Sequence, residues 1–110
     1  MIVLRVTLDV IPEKQLEVVQ TLLSMVAPAG KEPGCINYTV FCDIEDKNQF
    51  SMLGEWETRE DLNHHFLSRR FGALLGTKSL LDSPMTIQIH TVSQSEGMEA
   101  IEAARGGSVH

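Results

Sequence analysis

Residues 2 to 11 alternate between two sets of side chains, and this pattern restricts the folds open to the chain more than any other feature. One set, from Ile2 to Val10, is entirely apolar, whereas the other includes Arg5, Thr7 and Asp9. Successive side chains of a β-strand point to opposite faces of a sheet, so the alternation predicts a strand with one fully apolar face. Another layer of structure must cover that face.

A helical pattern follows this strand. Pro12 suits the first turn of a helix. Apolar residues then recur at helical spacing at Leu16, Val19, Leu23, Val26 and Ala27. The spacing predicts an amphipathic helix that buries this stripe and ends at Pro28 and Gly30.

Two more strands and a second helix come next. Residues 35 to 42 and 49 to 56 have strand patterns and are joined by a polar loop, which predicts a hairpin. Thr58, with Asp61 three residues later, resembles a capping box that opens a second helix. After a Leu-rich segment, residues 85 to 92 are predicted to form the last strand.

The predicted order is β, α, β, β, α, β. This order is typical of an α+β, ferredoxin-like split βαβ fold, in which a four-stranded antiparallel sheet carries both helices on one face. The other face would stay open, with the side chains of Val3, Arg5, Thr7, Asn37, Thr39, Phe41, Ser51 and Leu53. Since parts of that face are too apolar for water, we expect a homodimer through the open sheet face.

The predicted domain spans residues 1–93, and residues 94–110 form a C-terminal tail. A possible Ser95 cap, Met98 and Ile101 three positions apart, and Gly106 with Gly107 as a stop predict a short helix there. This helix either docks on its own domain or on the partner subunit, or it frays.

Charge and hydropathy exclude several classes of partner. Nine Lys and Arg against 15 Asp and Glu give a net charge of -6, which would repel phosphate backbones and anionic headgroups. No apolar run approaches a membrane-spanning length, and the alternating start is unlike a signal peptide. We therefore expect a cytoplasmic protein with no nucleic-acid or membrane partner.

The two cysteines, Cys35 and Cys42, fall on one predicted strand. Seven strand steps separate them by roughly 23 Å and would place them on opposite faces. This geometry excludes an intrachain disulfide and predicts reduced thiols.

His65 is the first candidate for chemistry. It shares a predicted helical stripe with Leu62, Phe66, Arg69 and Ala73, and it would enter the layer between helix and sheet. Burial and neighbouring groups can tune the proton affinity of an imidazole there, so His65 is a candidate general base. The alternative is a core histidine bonded to a backbone carbonyl.

Four residues of the strands are predicted to face the same layer. Trp56 shares its strand parity with Phe50 and Met52, and Tyr38 approaches from the neighbouring strand. A tryptophan there could form a flat wall for an aromatic substrate, although plain packing is the ordinary role of such residues. We expect the indole of Trp56 and the imidazole of His65 to converge on a shared void.

Several short stretches resemble one family. The segments "EPGCINY" at 32–38, "GEW" at 54–56, a Thr-capped helix reaching His65, and "LLDSP" at 80–84 are together similar to the antibiotic biosynthesis monooxygenase (ABM) domain family, over about residues 2–92. The resemblance implies a dimeric α+β barrel. Several members are cofactor-independent oxygenases of quinols or anthrones, whereas others isomerise small sugar-like signals, degrade haem or have no known activity.

The resemblance implies a small aromatic or quinol-like substrate and molecular oxygen as the other reactant. His65 and Trp56 would be catalytic, and the substrate-binding residues would be Tyr38, Phe50, Met52, Phe66 and Arg69. No cofactor or metal is expected, since phosphate-loop and zinc motifs are missing and adjacent histidines on a helix cannot share one metal.

Departures from the family pattern leave alternatives open. Haem-degrading members have characteristic residues where this chain has Val6, His65 and Leu75, so haem oxygenation is not expected. Some oxygenases have an asparagine where this chain has Met52, which weakens the oxygenase interpretation. A non-oxidative isomerase and a non-catalytic ligand-binding dimer are the alternatives.

Overall fold

The computed structural model describes residues 1–106. Along the chain its elements are β1 (Ile2–Asp9), a 3-10 turn (Pro12–Lys14), α1 (Gln15–Gly30), β2 (Cys35–Cys42), β3 (Gln49–Trp56), α2 (Arg59–Phe66), α3 (Arg69–Leu75), a 3-10 turn (Gly76–Leu80), β4 (Thr86–Thr91) and α4 (Met98–Ala104). The strands form one antiparallel sheet in the order β2-β3-β1-β4. The predicted ferredoxin-like α+β fold is confirmed, and the sheet of the single chain is open.

Strand β1 lies inside the sheet and carries the centre of the core. Its predicted apolar face is buried along its whole length, from Ile2 to Leu8. On that face Val6 pairs with Met52 of β3 and with Ile87 of β4. The strict alternation at the start of the chain thus places one row of apolar side chains beneath the helices.

The buried stripe of α1 differs from the predicted one. The buried residues are Val18, Leu22, Met25 and Ala29. Leu16 and Leu23, which were predicted to be inside, are 66% and 60% exposed. The prediction was wrong because α1 is apolar on more than half of its circumference, and helical spacing alone did not distinguish two neighbouring stripes.

A bulge at the start of β2 corrects the placement of the cysteines. Cys35 pairs with Trp56 and Asn37 with Glu55, so Ile36 has no partner and is exposed. Cys42 pairs with Phe50, which lies on the same face as Trp56. Because the bulge inserts one residue, both thiols lie on the helix side of the sheet, and the predicted placement on opposite faces is wrong. Both cysteines are free thiols.

The second helical region is broken in two. The Thr58 side chain accepts a hydrogen bond from the Asp61 amide and caps α2 as predicted. Ser68 caps α3 in the same way, through the amide of Phe71. The break between the helices shifts the helical phase, so the predicted inward position of Arg69 is wrong. Arg69 is exposed, and the partly exposed Arg70 is the arginine that contacts Glu32.

The C-terminal helix begins later than the sequence suggested. Gly97, and not Ser95, is the N-cap of α4. Met98 and Ile101 are 64% and 53% exposed, and within the described residues α4 buries none of its side chains. Docking on its own domain is thus not seen there, and residues 107–110, including the predicted stop at Gly107, lie outside the described residues.

No helix within residues 1–106 combines the length and the apolar character needed to cross a membrane.

Gly54 supports the packing of the only tryptophan. A Cβ at this position would lie 3.0 Å from Nε1 of Trp56 and 3.3 Å from the ring of Tyr38. We expect Gly54→Ala to lower the free energy of unfolding by about 1–3 kcal/mol, since both rings must shift. Urea denaturation measures the change.

Gly72→Ala is the matched control, because a Cβ there meets nothing within 4 Å and the site lies within a helix. It should leave stability unchanged or raise it by about 0.4–1 kcal/mol. Equal losses in the two variants would contradict the packing argument.

Candidate active site

The turn between α1 and β2 places a carboxylate beside the second helix. Gly34 has φ of 78°, and a side chain at this position would collide with the carboxyl group of Asp61. Its carbonyl accepts a hydrogen bond from the Glu57 amide at 2.8 Å. Glycine is therefore needed both for the left-handed backbone and for the close approach, and the turn holds Glu32 near α2.

His65 lies fully buried near the end of α2. Its Nδ1 is 3.0 Å from Oε1 and 3.2 Å from Oε2 of Glu32, a residue 33 positions earlier in the chain. A carboxylate can only accept hydrogen bonds, so Nδ1 carries the proton and donates it. In the neutral ring Nε2 then has a free lone pair, and it lies 3.3 Å from the hydroxyl of Tyr38.

Arg70 completes a chain of polar side chains. Its Nη2 lies 2.6 Å and its Nε 3.2 Å from Oε2 of Glu32. The four groups Arg70, Glu32, His65 and Tyr38 therefore form one continuous hydrogen-bonded series, which we call the relay. The relay runs from a partly exposed guanidinium to a buried phenol.

Aromatic rings surround the imidazole on several sides. The ring centroid of His65 lies 4.8 Å from that of Trp56 at an interplanar angle of 32°. Tyr38 and Phe71 make edge contacts at centroid distances of 5.2 Å and 5.3 Å. The indole and imidazole converge as expected, but the expected void between them is absent, because the two rings are in contact.

The environment of His65 determines its protonation. Burial lowers the pKa of His65, an effect that the Glu32 carboxylate opposes and Arg70 reinforces. Burial, together with the nearby charge of Glu32, raises the pKa of Tyr38. At neutral pH the imidazole is therefore a neutral base, and Tyr38 keeps its proton and can donate it to Nε2.

The indole N–H of Trp56 has no hydrogen-bond partner within the described residues, although it is buried. A buried donor without an acceptor costs about 1–3 kcal/mol. This group is thus available to an acceptor such as an oxygen atom of a bound ligand or a water molecule.

The other predicted substrate-binding residues do not surround His65 as one group. Phe50 lies six positions before Trp56 on the same strand, which corresponds to about 20 Å. Met52 is fully buried between them. Phe66 packs on Phe71 at a centroid distance of 4.9 Å. A small molecule in contact with Phe50 would therefore not reach Trp56.

Phe50 instead lines an apolar cleft at the opposite end of β3. The cleft has a volume of about 170 Å³ and is lined by Val19, Leu22, Leu23, Val40, Phe41, Cys42 and Phe50. It contains no charged side chain, which makes it suitable for an apolar group.

Sequence reasoning missed Glu32, Arg70 and Phe71. The stretch "KEPGC" marked the turn that contains Glu32, but no local pattern links this residue to a histidine 33 positions later. No group of three metal-ligating side chains was found within residues 1–106.

Comparison with known proteins identifies the family. The sequence model of the family "antibiotic biosynthesis monooxygenase" matches residues 1–75. The chain belongs to this ABM family. Crystal structures agree on the fold: that of a "putative antibiotic biosynthesis monooxygenase" from Deinococcus radiodurans has a TM-score of 0.81 at 19% identity and covers 88% of this chain and 97% of its own.

Two sequence relatives extend the comparison. The "Uncharacterized protein sll1783" of Synechocystis is 28% identical over 96 residues, which are 86% of this chain but only 65% of that protein. The "Putative monooxygenase YcnE" of Bacillus subtilis is 31% identical over 88 residues, 79% of this chain and 93% of its own length. The chain therefore spans about two thirds of one relative and nearly all of the other.

Proposed function

We propose that this ABM protein is a cofactor-independent monooxygenase that acts on a small aromatic or quinol-like substrate with molecular oxygen. One observation carries the proposal: a fully buried histidine holds its Nδ1 proton against Glu32 and directs its free Nε2 toward the hydroxyl of Tyr38. Membership of the family and the name of the Bacillus relative support monooxygenase chemistry in general terms.

The proposed reaction needs a base, an aromatic wall and a dry site. Nε2 of His65 removes the phenolic proton of the substrate, either directly or through the hydroxyl of Tyr38. The resulting electron-rich anion reduces oxygen, and one oxygen atom enters the ring while the other leaves as water. A hydroquinone and O2 thus give a hydroxyquinone and H2O. The ring supplies all the electrons, and burial of His65 excludes bulk water.

Trp56 has two roles in this proposal. Its ring forms a flat wall against His65 at 4.8 Å. Its free N–H can donate a hydrogen bond to an oxygen of the substrate as negative charge develops there.

Substrate entry requires a side chain to move, because the imidazole is already covered. Phe71, on the short helix α3, contacts the edge of the His65 ring. Its helix follows the break at Leu67 and Ser68. We propose that α3 shifts to admit the substrate, as mobile segments do in many enzymes.

Oxygen uptake tests the proposal directly. Metal-stripped protein is mixed with a panel of hydroquinones, and oxygen consumption is compared with that in buffer alone. Faster consumption by the protein, with a hydroxyquinone as product, is the expected result. Rates equal to buffer across the panel would contradict the proposed activity.

The filled space around His65 favours a second candidate, a dimer that binds an apolar ligand without converting it. Such a ligand would occupy the cleft beside Phe50, whose lining includes no residue of the relay. Binding of a hydroquinone to this cleft without oxygen consumption would favour this candidate over the first.

We also propose that two copies associate through the open sheet face. Phe41 is 50% exposed there, and Val3 and Leu53 are partly exposed on the same face. We expect light scattering at micromolar concentration to give a dimer mass. Leu53→Asp should give a monomer, because burying the new carboxylate in the interface costs more than its contact with Arg5, the residue opposite it on β1, returns.

Ile44→Asp is the control for this prediction, since Ile44 lies in the hairpin loop and is fully exposed. A monomer in the unmodified protein, or a dimer that survives in Leu53→Asp, would contradict the proposed interface.

A further inference from the structure

We propose that Glu32 is a positioning residue that fixes the tautomer of His65, and that Arg70 holds the Glu32 carboxylate in the orientation this requires. The inference rests on the proposed function in one respect, since it assigns His65 as the base. Its main test does not depend on activity.

The geometry of the carboxylate supports this role. Glu32 has only 13% of its side chain exposed, and its two oxygens are shared between a histidine and an arginine. Oε1 makes the shorter contact with Nδ1 of His65, whereas Oε2 receives Nη2 of Arg70. The imidazole of His65 on α2 and the guanidinium of Arg70 on α3 therefore both hold the carboxylate of Glu32, which lies in the turn before β2.

The backbone restricts Glu32 as well. Its amide donates to the carbonyl of Ala29, and its carbonyl accepts from the amide of Cys35. Pro33 and Gly34 follow, and Gly34 is confined by Asp61. The carboxylate thus projects from a turn with few alternative conformations, which is what a positioning group requires.

The tautomer of His65 matters because only the ring nitrogen without a proton can act as a base, and Nε2 is the nitrogen that faces Tyr38. With Nδ1–H donated to Glu32, Nε2 remains free and faces Tyr38. Without the carboxylate, the proton can move to Nε2, which would then donate to the Tyr38 hydroxyl and lose its basic lone pair. Glu32 would not touch the substrate, so it acts through His65.

Two other titratable or charged groups lie near the imidazole, and a third lies near Tyr38. Arg70 approaches from α3, and Tyr38 from β2. Cys35, also on β2, has a thiol whose pKa is raised by burial, so it stays neutral. The charges that act on His65 are therefore those of Glu32 and Arg70, which have opposite signs.

Glu32 and Arg70 act on the pKa of His65 in opposite directions, and a purely structural role would not produce this difference. Removing the charge in Glu32→Gln should lower the pKa of His65 further, whereas removing it in Arg70→Leu should raise that pKa. General loosening of the site would instead admit water and raise the pKa in both variants.

The test uses nitrogen-15 NMR of the full-length protein, with His65 followed through a pH titration. We expect Nδ1–H in the unmodified protein and in Glu32→Asp. In Glu32→Gln the single amide oxygen should stay with Arg70, so that the amide NH2, a donor, faces Nδ1 and this tautomer is lost. The two charge variants should shift the pKa in opposite directions. Glu60→Gln, on the exposed side of α2, should leave both properties unchanged.

An unchanged tautomer in Glu32→Gln, or shifts of the same sign in Glu32→Gln and Arg70→Leu, would overturn the inference. If hydroquinones are consumed, Glu32→Gln should also lower kcat roughly 10²-fold with KM nearly unchanged, because a misplaced base affects the chemical step. If no hydroquinone is consumed, the proposed function fails, whereas the NMR result still decides the role of Glu32.

Discussion

We expect His65→Gln to lower the rate of hydroquinone oxidation by about 10²–10⁴-fold, the usual contribution of a positioned general base. Glutamine is close in size to histidine and can still bond to Glu32 or Tyr38, but it cannot accept a proton at neutral pH. Oxygen uptake under saturating substrate measures the loss in kcat. Circular dichroism verifies that the variant is folded.

The adjacent histidine provides the control for this experiment. His64 is exposed on the other side of α2, so His64→Gln should keep the full rate. Equal rates in the His65 and His64 variants would show that His65 is not the base.

The pH profile of the same reaction follows from the lowered pKa of His65. The imidazole acts as a base only when it is neutral, and its pKa lies below the ordinary value of 6.5. Activity should therefore stay high as the pH falls to 6.5, and it should decline only at lower pH, where the ring becomes protonated. The same shift makes the folded protein less stable at low pH, since the unfolded chain binds that proton more readily.

We expect Trp56→Ala to lower the free energy of unfolding by about 3–5 kcal/mol, the range observed when a large buried aromatic side chain is truncated. Trp56 is fully buried, stacks on His65 and lies over Gly54. Its removal would leave a cavity that β3, paired on both sides, cannot close by moving. Urea denaturation monitored by circular dichroism measures the loss.

Trp56→Phe separates packing from hydrogen bonding. Phenylalanine keeps a ring in the site and removes an N–H that has no partner in the described residues, so its effect on stability should be much smaller than that of Trp56→Ala. A loss in Trp56→Phe equal to that in Trp56→Ala would indicate that the N–H is bonded in solution. If a substrate oxygen uses this donor, Trp56→Phe should raise KM or lower kcat.

Local sequence patterns predicted the elements well where one interaction dominates. The alternation from Ile2 to Val10 predicted β1, because only one register buries a complete apolar face. Thr58 predicted the start of α2, because its side chain bonds to a backbone group three residues away. Both signals lie within a few residues of the structure they specify.

Errors arose where a long-range contact decides between local alternatives. The buried stripe of α1 was predicted on the wrong side, because several faces of this helix are apolar. Packing on the sheet decides which of them is buried, and this face includes Val18 and Leu22. A bulge at Ile36 moved Cys35 to the other face. The break after α2 changes the helical phase, so Arg69 is exposed and Arg70 contacts Glu32.

The candidate site was only partly predictable for the same reason. His65, Trp56 and Tyr38 were placed in one layer by parity and helical phase, and their rings are in contact. Glu32 could not be found in this way, because its contact with His65 depends on a turn that brings together distant parts of the chain. Periodicity gives the direction of a side chain but not the space around it, so the expected void between Trp56 and His65 could not be derived from the sequence.

The proposed chemistry depends most on the protonation of one imidazole, and nitrogen-15 NMR of His65 in the unmodified protein measures it most directly. We predict a neutral ring at pH 7, with the proton on Nδ1, a free Nε2, and a pKa below the ordinary 6.5. A proton on Nε2 at that pH would contradict the proposed role, because the nitrogen that faces Tyr38 could then not accept a proton. A pKa above 6.5 would contradict the lowering of the pKa by burial.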